Sequence, residues 1–354
     1  MKPYLRVLCT VVSAAAAAAF LPSTVQADAP APHGIPVAVT VDNFVRAESD
    51  MYFSAQAARG AFGKIVHYRD LMPVERQAVV RANRDTLYSV GIFDLDAGPV
   101  TVTLPDAGGR FRSIAAISED EYLPMVAYGN GPYTFTREQV GTRYVMIGVR
   151  TLANVQDPAD MKAAHALQDG ITSRQASPGN FKVTEWDKVS QKRVREALVT
   201  LGKTLPDLNG AFGMPDTVSP VRHLIGAAIA MGGNPPQDAT YLNVTPRQND
   251  GTTIYRLSVA NVPVDGFWSI SVYNRDGFFE PNPQGAYTLN NIVAKKDAGG
   301  AVTVQFGGCE ANVPNCLPVM PGWNYMVRLY RPRAQVLDGQ WKFPEAQPLR
   351  QAAQ

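Results

Sequence analysis

The sequence predicts a mainly β protein with a helical segment: two antiparallel β-sandwich (jelly-roll-like) domains joined by α-helices. Three observations predict it. Short runs rich in branched and aromatic residues, bounded by Asp, Gly and Pro, fall in two regions on either side of a stretch with helical periodicity. Most neighbouring runs have no helical period between them, which disfavours a parallel strand–helix–strand layout. The 354 residues, 45% hydrophobic and 18% charged, carry 29 Gly and 27 Pro without a three-residue period, so the chain is globular rather than coil or collagen-like.

In chain order, residues 1–27 read as a signal peptide. Lys2 and Arg6 give a positive start, residues 7–21 an apolar run, and Val25-Gln26-Ala27 small residues for cleavage before Asp28. The run is shorter than the roughly 20 residues that span a bilayer, so a periplasmic or secreted protein without stable membrane insertion is expected. Residues 28–41 read as a flexible leader. Cleavage removes Lys2 and Arg6 from the 33 basic residues and leaves 31 against 31 acidic ones. With no basic excess to displace counterions from phosphates, nucleic acid is not an expected partner.

The N-terminal β-rich domain, residues 42–156, opens with a helix. Asp42 is positioned to cap it, Phe44, Ala47, Met51 and Ala55 share a face, and Gly60 stops it. Strands are expected at 87–93, 100–104, 111–117 and 144–149. A helical segment, 157–232, follows, with helices at 158–171, 186–205 and 218–231. In the second, Val194, Leu198, Leu201 and Leu205 share a face, and the run Lys192, Arg193, Arg195 reads as solvated. Gly232-Gly233-Asn234-Pro235-Pro236 breaks the chain. The C-terminal β-sandwich domain, 233–354, has strands at 252–259, 268–273, 302–306 and 325–330. Cys9 leaves with the leader, so Cys309 and Cys316 remain as an even pair suited to a local disulfide in an exported protein.

Two sets of motifs carry a resemblance. The first is Val79-Val80-Arg81-Ala82-Asn83-Arg84-Asp85-Thr86-Leu87-Tyr88-Ser89, with Leu104-Pro105-Asp106 and Gly109-Arg110-Phe111 downstream. The second is Asp265-Gly266-Phe267-Trp268-Ser269, then Tyr273-Asn274, Tyr287-Thr288-Leu289-Asn290, Leu317-Pro318, Arg328-Leu329-Tyr330 and Asp338-Gly339-Gln340-Trp341. In order and spacing these resemble a bacterial family of paired domains of unknown function, twelve-fifty-four N-terminal and twelve-fourteen C-terminal. The resemblance implies a mostly β, often exported protein and no settled reaction. Its relatives usually carry Trp where this chain has Cys316; if that position lines a pocket, the disulfide reshapes it.

The expected ligand-binding set is Asn83, Arg84, Asp85, Tyr88, Asp265, Trp268 and Arg328. Asn83, Asp85 and Thr86 suit a turn before a strand, whereas Arg84 and Tyr88 suit a carboxylate or sugar hydroxyls. Gly266 is read as permitting positive φ, and Phe267 and Trp268 as core area or a stacking platform. Arg328, on a strand, needs a partner; Asp265, Glu280 or Asp338 would make an ion pair, and a ligand carboxylate is the alternative. Glu119, Asp120 and Glu121 read as an exposed acidic turn, and His67 as a packing residue. His33, His67, His165 and His223 show no metal-ligand spacing, so no metal set is assigned, although an oxygen-only calcium or magnesium site stays open. No serine-esterase, nucleotide or nicotinamide motif occurs, and the cofactor is unknown.

These readings favour an exported protein that binds a small polar or anionic molecule in a cleft between two β domains. The alternative is a periplasmic hydrolase or lyase using carboxylates or a divalent metal. Sandwich edges also leave self-association into a homo-oligomer open.

Overall fold

The computed structural model describes residues 35–77, 79–311 and 313–349. The signal peptide, its cleavage site, His33 and residues 28–34 of the leader lie outside the described residues; the rest of the leader is not loose as expected, since Val39 is 4% exposed and the Val37 backbone bonds Glu185 O and the Asp187 amide. From Pro36 onward the chain forms one compact unit.

The first helix, α1 (Phe44–Gln56), buries Phe44, Ala47 and Phe53, and Gly60 at φ +88° ends the turn that follows it. Asn43, not Asp42, occupies the N-cap position, with its carboxamide turned back to the Thr40 amide. The first half then supplies β1 (Val66–Tyr68), β2 (Thr86–Asp94), β3 (Val100–Leu104), β4 (Arg112–Ser118) and β5 (Met125–Tyr128). After these come β6 (Gly131–Phe135), the short α2 (Arg137–Val140) and β7 (Tyr144–Leu152). Next are α3 (Pro158–Asp169), β8 (Thr172–Gln175), α4 (Lys188–Gly202) and α5 (Pro220–Ile229). Asp157 and Asp187 cap α3 and α4 by accepting bonds from backbone amides, which satisfies donors a helix start leaves orphaned.

The second half contains β9 (Ala239–Val244), β10 (Tyr255–Val259), β11 (Trp268–Tyr273), β12 (Thr288–Asn290), β13 (Val302–Phe306) and β14 (Cys316–Leu317). It ends with β15 (Asn324–Tyr330), α6 (Ala334–Leu337) and β16 (Gln347–Pro348). Each half is a pair of open sheets. In the first, the order β1-β2-β7-β4-β5 faces β6-β3-β8; in the second, β12-β11-β15-β9 faces β14-β13-β10-β16. Every named pairing is antiparallel except β13 with β14.

Alternation explains the cores. Val100, Val102 and Leu104 of β3 meet Ile114, Val145, Ile147 and Val149 across the first sandwich. Trp268, Ile270 and Val272 of β11 meet Leu257, Val304, Phe306 and Trp323 across the second. Period two sends one set of side chains into each core, so the other set must be covered elsewhere. On β2 and β7, Ile92, Tyr144 and Met146 are covered by Phe53 of α1, which itself packs with α4 and α5. The helical segment is therefore a third layer on the first sandwich as well as a connection. Arg195 departs from the expected solvated run, turning inward to Glu48, while Lys192 and Arg193 are exposed.

Cys309 and Cys316 form a disulfide. Gly266 fills a different role from the expected turn glycine. Its φ is not positive; its amide bonds Tyr330 O at 3.1 Å, and an added Cβ would lie 2.6 Å from that oxygen. Close backbone approach, not conformational freedom, demands glycine here. Gly266→Ala should lower unfolding free energy in urea by about 1–3 kcal/mol, the usual cost of overpacking.

Candidate functional site

The two sandwiches meet through the faces their cores leave over. From the second come Ser269, Ser271 and Tyr273 of β11, Met326, Arg328 and Tyr330 of β15, and Tyr241 of β9, placed on one side by the registers Ser269↔Arg328 and Arg328↔Tyr241. Against them lie the segment entering β2 and the matching side chains Tyr88 and Arg150, paired across β2 and β7.

Asp85 is fully buried, and its carboxylate is held entirely by the second sandwich. The Ser269 hydroxyl donates to it at 2.6 Å, Asn290 Nδ2 donates at 3.1 Å, and Thr288 Oγ1 lies 3.3 Å away. Arg328, 2% exposed, sits beside this anion with no ion pair among the described residues. Its Nη1 donates to Ser271 Oγ, and its Nη2 donates to Tyr273 Oη and to the carbonyls of Arg81 and Ala82. The expected ionic partners are engaged elsewhere: Asp265 binds Arg333, Glu280 accepts from Asn274, and Asp338 accepts from the Gln340 amide. Arg328 thus fastens the strand register to the Arg81-Ala82 backbone.

Asn83 and Tyr88 form a second cluster. Asn83 Nδ2 lies 3.1 Å from Thr86 Oγ1 and Tyr88 Oη and 3.3 Å from Tyr330 Oη. Arg150 stands beside the Tyr88 ring, 5.6 Å from its centroid, and donates to Asn234 Oδ1 and Gly232 O. Asn234 in turn faces Tyr241 Oη. Burial pulls the Arg150 guanidinium down, but the phenols of Tyr88, Tyr241 and Tyr330 hold it above its usual range. Burial would raise the Tyr88 phenol; the Arg150 charge and the bonds from Arg150, Asn83 and Thr86 outweigh it and leave Tyr88 below an ordinary tyrosine. Tyr88, Arg150 and Tyr241 keep partial exposure. Beside Arg150 on β7, a Cβ built on Gly148 would meet no heavy atom within 4 Å. Space is therefore open above Gly148, next to Arg150 on the same face of β7, the floor of the cleft.

Two openings lie along the junction. One, of about 620 Å³, is lined by Arg110, Arg112, Tyr128, Asp265, Phe267 and Arg331 among others. Phe267 stacks on Tyr330 at 4.2 Å, so this opening backs onto the floor. The second, of about 340 Å³, is lined by Arg84, Thr288, Asn290, Lys295, Cys309 and Cys316 among others. Asn154 borders both.

Of the expected set, Asn83, Asp85, Tyr88 and Arg328 converge on the junction. Arg84 faces away from the floor, its Nη1 donating to Met72 O and its guanidinium 5.3 Å from the Tyr287 ring. Asp265 lies half-exposed at the larger opening. Trp268 does not reach the cleft: it is 5% exposed and packs edge-on to Phe343 in the second core. The residue before it in alternation, Phe267, and the one after it, Ser269, point the other way. Arg150, Tyr241 and Tyr330 were not singled out as site residues. The signal available was Arg150 itself, a lone charge within the apolar run of β7, two residues after Gly148.

The acidic turn is not the exposed one expected. Asp120 pairs with Arg46 at the surface of α1, but Glu119 and Glu121 are 6% and 1% exposed, because the helical layer closes over the turn. Neither Glu121 carboxylate oxygen has a hydrogen-bond partner. Burial, with Glu48 adding to it and Arg195 opposing, pushes Glu121 well above the carboxylate range, and burial likewise raises Asp50 to about 6. The histidines within the described residues are engaged in packing contacts, His67 with Ser89, His165 with Arg69 O, and His223 with Ala211 O and Asp120 O. No cluster of three or more His, Cys, Asp or Glu side chains is arranged to hold a metal ion among the described residues.

Comparison with known proteins gives two family matches. Residues 62–120 match the model described as protein of unknown function (DUF1254), and residues 240–334 match protein of unknown function (DUF1214). These are the two domains the motifs resemble, in the same order. A crystal structure of the VPA0106 protein from Vibrio parahaemolyticus aligns with a TM-score of 0.67 at 18% identity, covering 88% of this chain and 98% of that one. The overall fold is shared with that protein. A crystal structure of a putative uncharacterized protein from Burkholderia cenocepacia aligns at 0.48 and 12% identity, covering 82% and 84%. No curated protein matches.

Asp85→Ala should cost about 3 kcal/mol or more in urea unfolding, since it strands the buried donors of Ser269 and Asn290. In the Asp85→Ala background, Ser269→Ala should cost far less than alone, a coupling that a double-mutant cycle reads directly. For Glu121, the folded state holds its proton more tightly than the unfolded chain. Its contribution is therefore fully present below the ordinary carboxylate range and is lost as pH rises toward the raised value. Glu121→Gln should flatten the fall of Tm between pH 4 and pH 8, with its largest gain over the unsubstituted protein at the alkaline end.

Proposed function

We propose that this protein binds a small anionic molecule in the cleft between its two sandwiches, with Arg150 on the cleft floor as the principal charge. One observation carries the reading. Four guanidiniums, Arg81, Arg84, Arg150 and Arg328, stand around the junction against the single buried carboxylate of Asp85, and none of them forms an ion pair among the described residues. Buried or half-buried charge is ordinarily paired. Arg328 is held by neutral acceptors, and Arg150 has two long bonds, at 3.3 and 3.2 Å, and a contact with the Tyr88 phenol, none of them to a carboxylate. Tyr88, Tyr241 and Asn83 supply the directional donors and acceptors that a carboxylate or phosphate with neighbouring hydroxyls would use. The charged, apolar and small-residue order of residues 1–27 supports placing this binding in the periplasm or outside the cell.

A second reading is favoured by Tyr88. A phenol held below its usual range beside an arginine suits proton transfer, so hydrolase or lyase chemistry on the bound anion is the alternative.

Native mass spectrometry of protein isolated from its own cells should show a retained anionic small molecule, and Arg150→Gln should weaken its retention by about tenfold to a hundredfold, the usual worth of a charged hydrogen bond. Protein that is free of such a species, and whose Tm is unmoved by a panel of small carboxylates and sugar phosphates, would count against the reading.

A further inference from the structure

The smaller opening has a composition that sets it apart from the rest of the junction. It is walled on one side by Leu71, Arg84 and residues 153–156 of the first sandwich, and on the other by residues 284–290, Val293, Lys295 and the disulfide loop of the second. Among the described residues that line it there are two cationic side chains, Arg84 and Lys295, and no carboxylate. The larger opening is of mixed charge, with four aspartates and three arginines along its wall.

Arg84 is half-buried here, and burial pulls its guanidinium below the usual range, with Tyr287 and Glu75 opposing. Only its Nη1 is engaged, with Met72 O, so Nε and Nη2 remain for another acceptor. Its plane is supported by Tyr287 and Phe279, with ring centroids 5.3 and 5.9 Å away, an arrangement that orients a guanidinium without neutralising it. Thr288 and Asn290 line the same opening but are committed to Asp85 behind it. Asn315 is likewise committed, its carboxamide exchanging bonds with the Lys295 backbone. Part of the polar wall is therefore fixed, and its uncommitted charged groups, Arg84 and Lys295, are donors.

We propose that this opening is a second ligand site, separate from the floor around Arg150, which takes a small multiply charged anion, a phosphate or a polycarboxylate, between Arg84 and Lys295. The disulfide belongs to the site. Cys309 and Cys316 both line it, and closing a ring across a sequence separation of seven restricts the loop that forms the outer wall. An opened loop would have to be ordered on each binding event, which weakens affinity.

The test is calorimetric titration of the full chain carrying Arg150→Gln, which disables the floor site, with inorganic phosphate in one arm and citrate in the other, at low ionic strength. At least one anion should bind with a stoichiometry of one; which arm responds identifies the chemistry. Arg84→Gln should weaken it by about tenfold to a hundredfold, and Lys295→Gln, at an exposed position where folding is not at stake, should weaken it severalfold. The paired Cys309→Ser and Cys316→Ser substitutions should weaken it as well, whereas Lys192→Gln, on the exposed face of α4, should leave it unchanged. Silence in both arms, affinity unaltered by Lys295→Gln, or loss in Lys192→Gln equal to that in Arg84→Gln would overturn the proposal.

Discussion

The structure turns on one buried carboxylate. Asp85 belongs by sequence to the first sandwich, yet the side chains that hold its oxygens, Ser269, Thr288 and Asn290, come from β11 and β12 of the second. An anion removed from water is tolerated only where its acceptor capacity is met, so the two sandwiches have one relative placement in which that condition holds. Arg328 adds a second fastening from the opposite direction, gripping the Arg81 and Ala82 carbonyls just upstream. Together they explain why residues 81–88 can carry function. The segment is clamped at both ends by the neighbouring sheet, so Asn83 and Tyr88 are presented with little freedom to move.

That clamp also distributes charge. Neutral acceptors satisfy Arg328, while Asp85 is consumed by hydroxyl and amide donors. Of the other guanidiniums, Arg150 stands at the floor without a carboxylate partner among the described residues, and Arg84 lines the smaller opening. A hydrophobic junction would have joined the sandwiches with less electrostatic cost. The polar solution leaves positive potential inside a concave surface, where it is screened less than on a convex one.

Much of this was legible in the sequence, in a way that follows burial. Val100–Leu104, Trp268–Tyr273 and Val302–Phe306 were found to the residue because alternation and bounding turn residues are local signals. Strands such as Val66–Tyr68, Gly131–Phe135 and Cys316–Leu317 escaped because they are short and half-buried, their pairing set by partners far along the chain. Trp268 shows the limit for sites: its motif marks a boundary between core and junction, but periodicity alone does not say which of two faces is which. Glu121 shows another. Nothing local distinguishes an exposed acidic turn from one roofed by a helix that lies some seventy residues upstream. Arg150 was hidden by the same logic, since the phenols that give it meaning come from both sandwiches.

Gly148 sits on β7 with ordinary extended geometry and nothing above it. Many glycines are irreplaceable because backbone or neighbours crowd them; this one is crowded by neither. The fold would accept alanine at that point with little disturbance, and a side chain there would fill space beside Arg150. The position is thus a dial for molecular size that evolution can turn independently of stability, letting related chains diverge in what they admit while keeping one common framework.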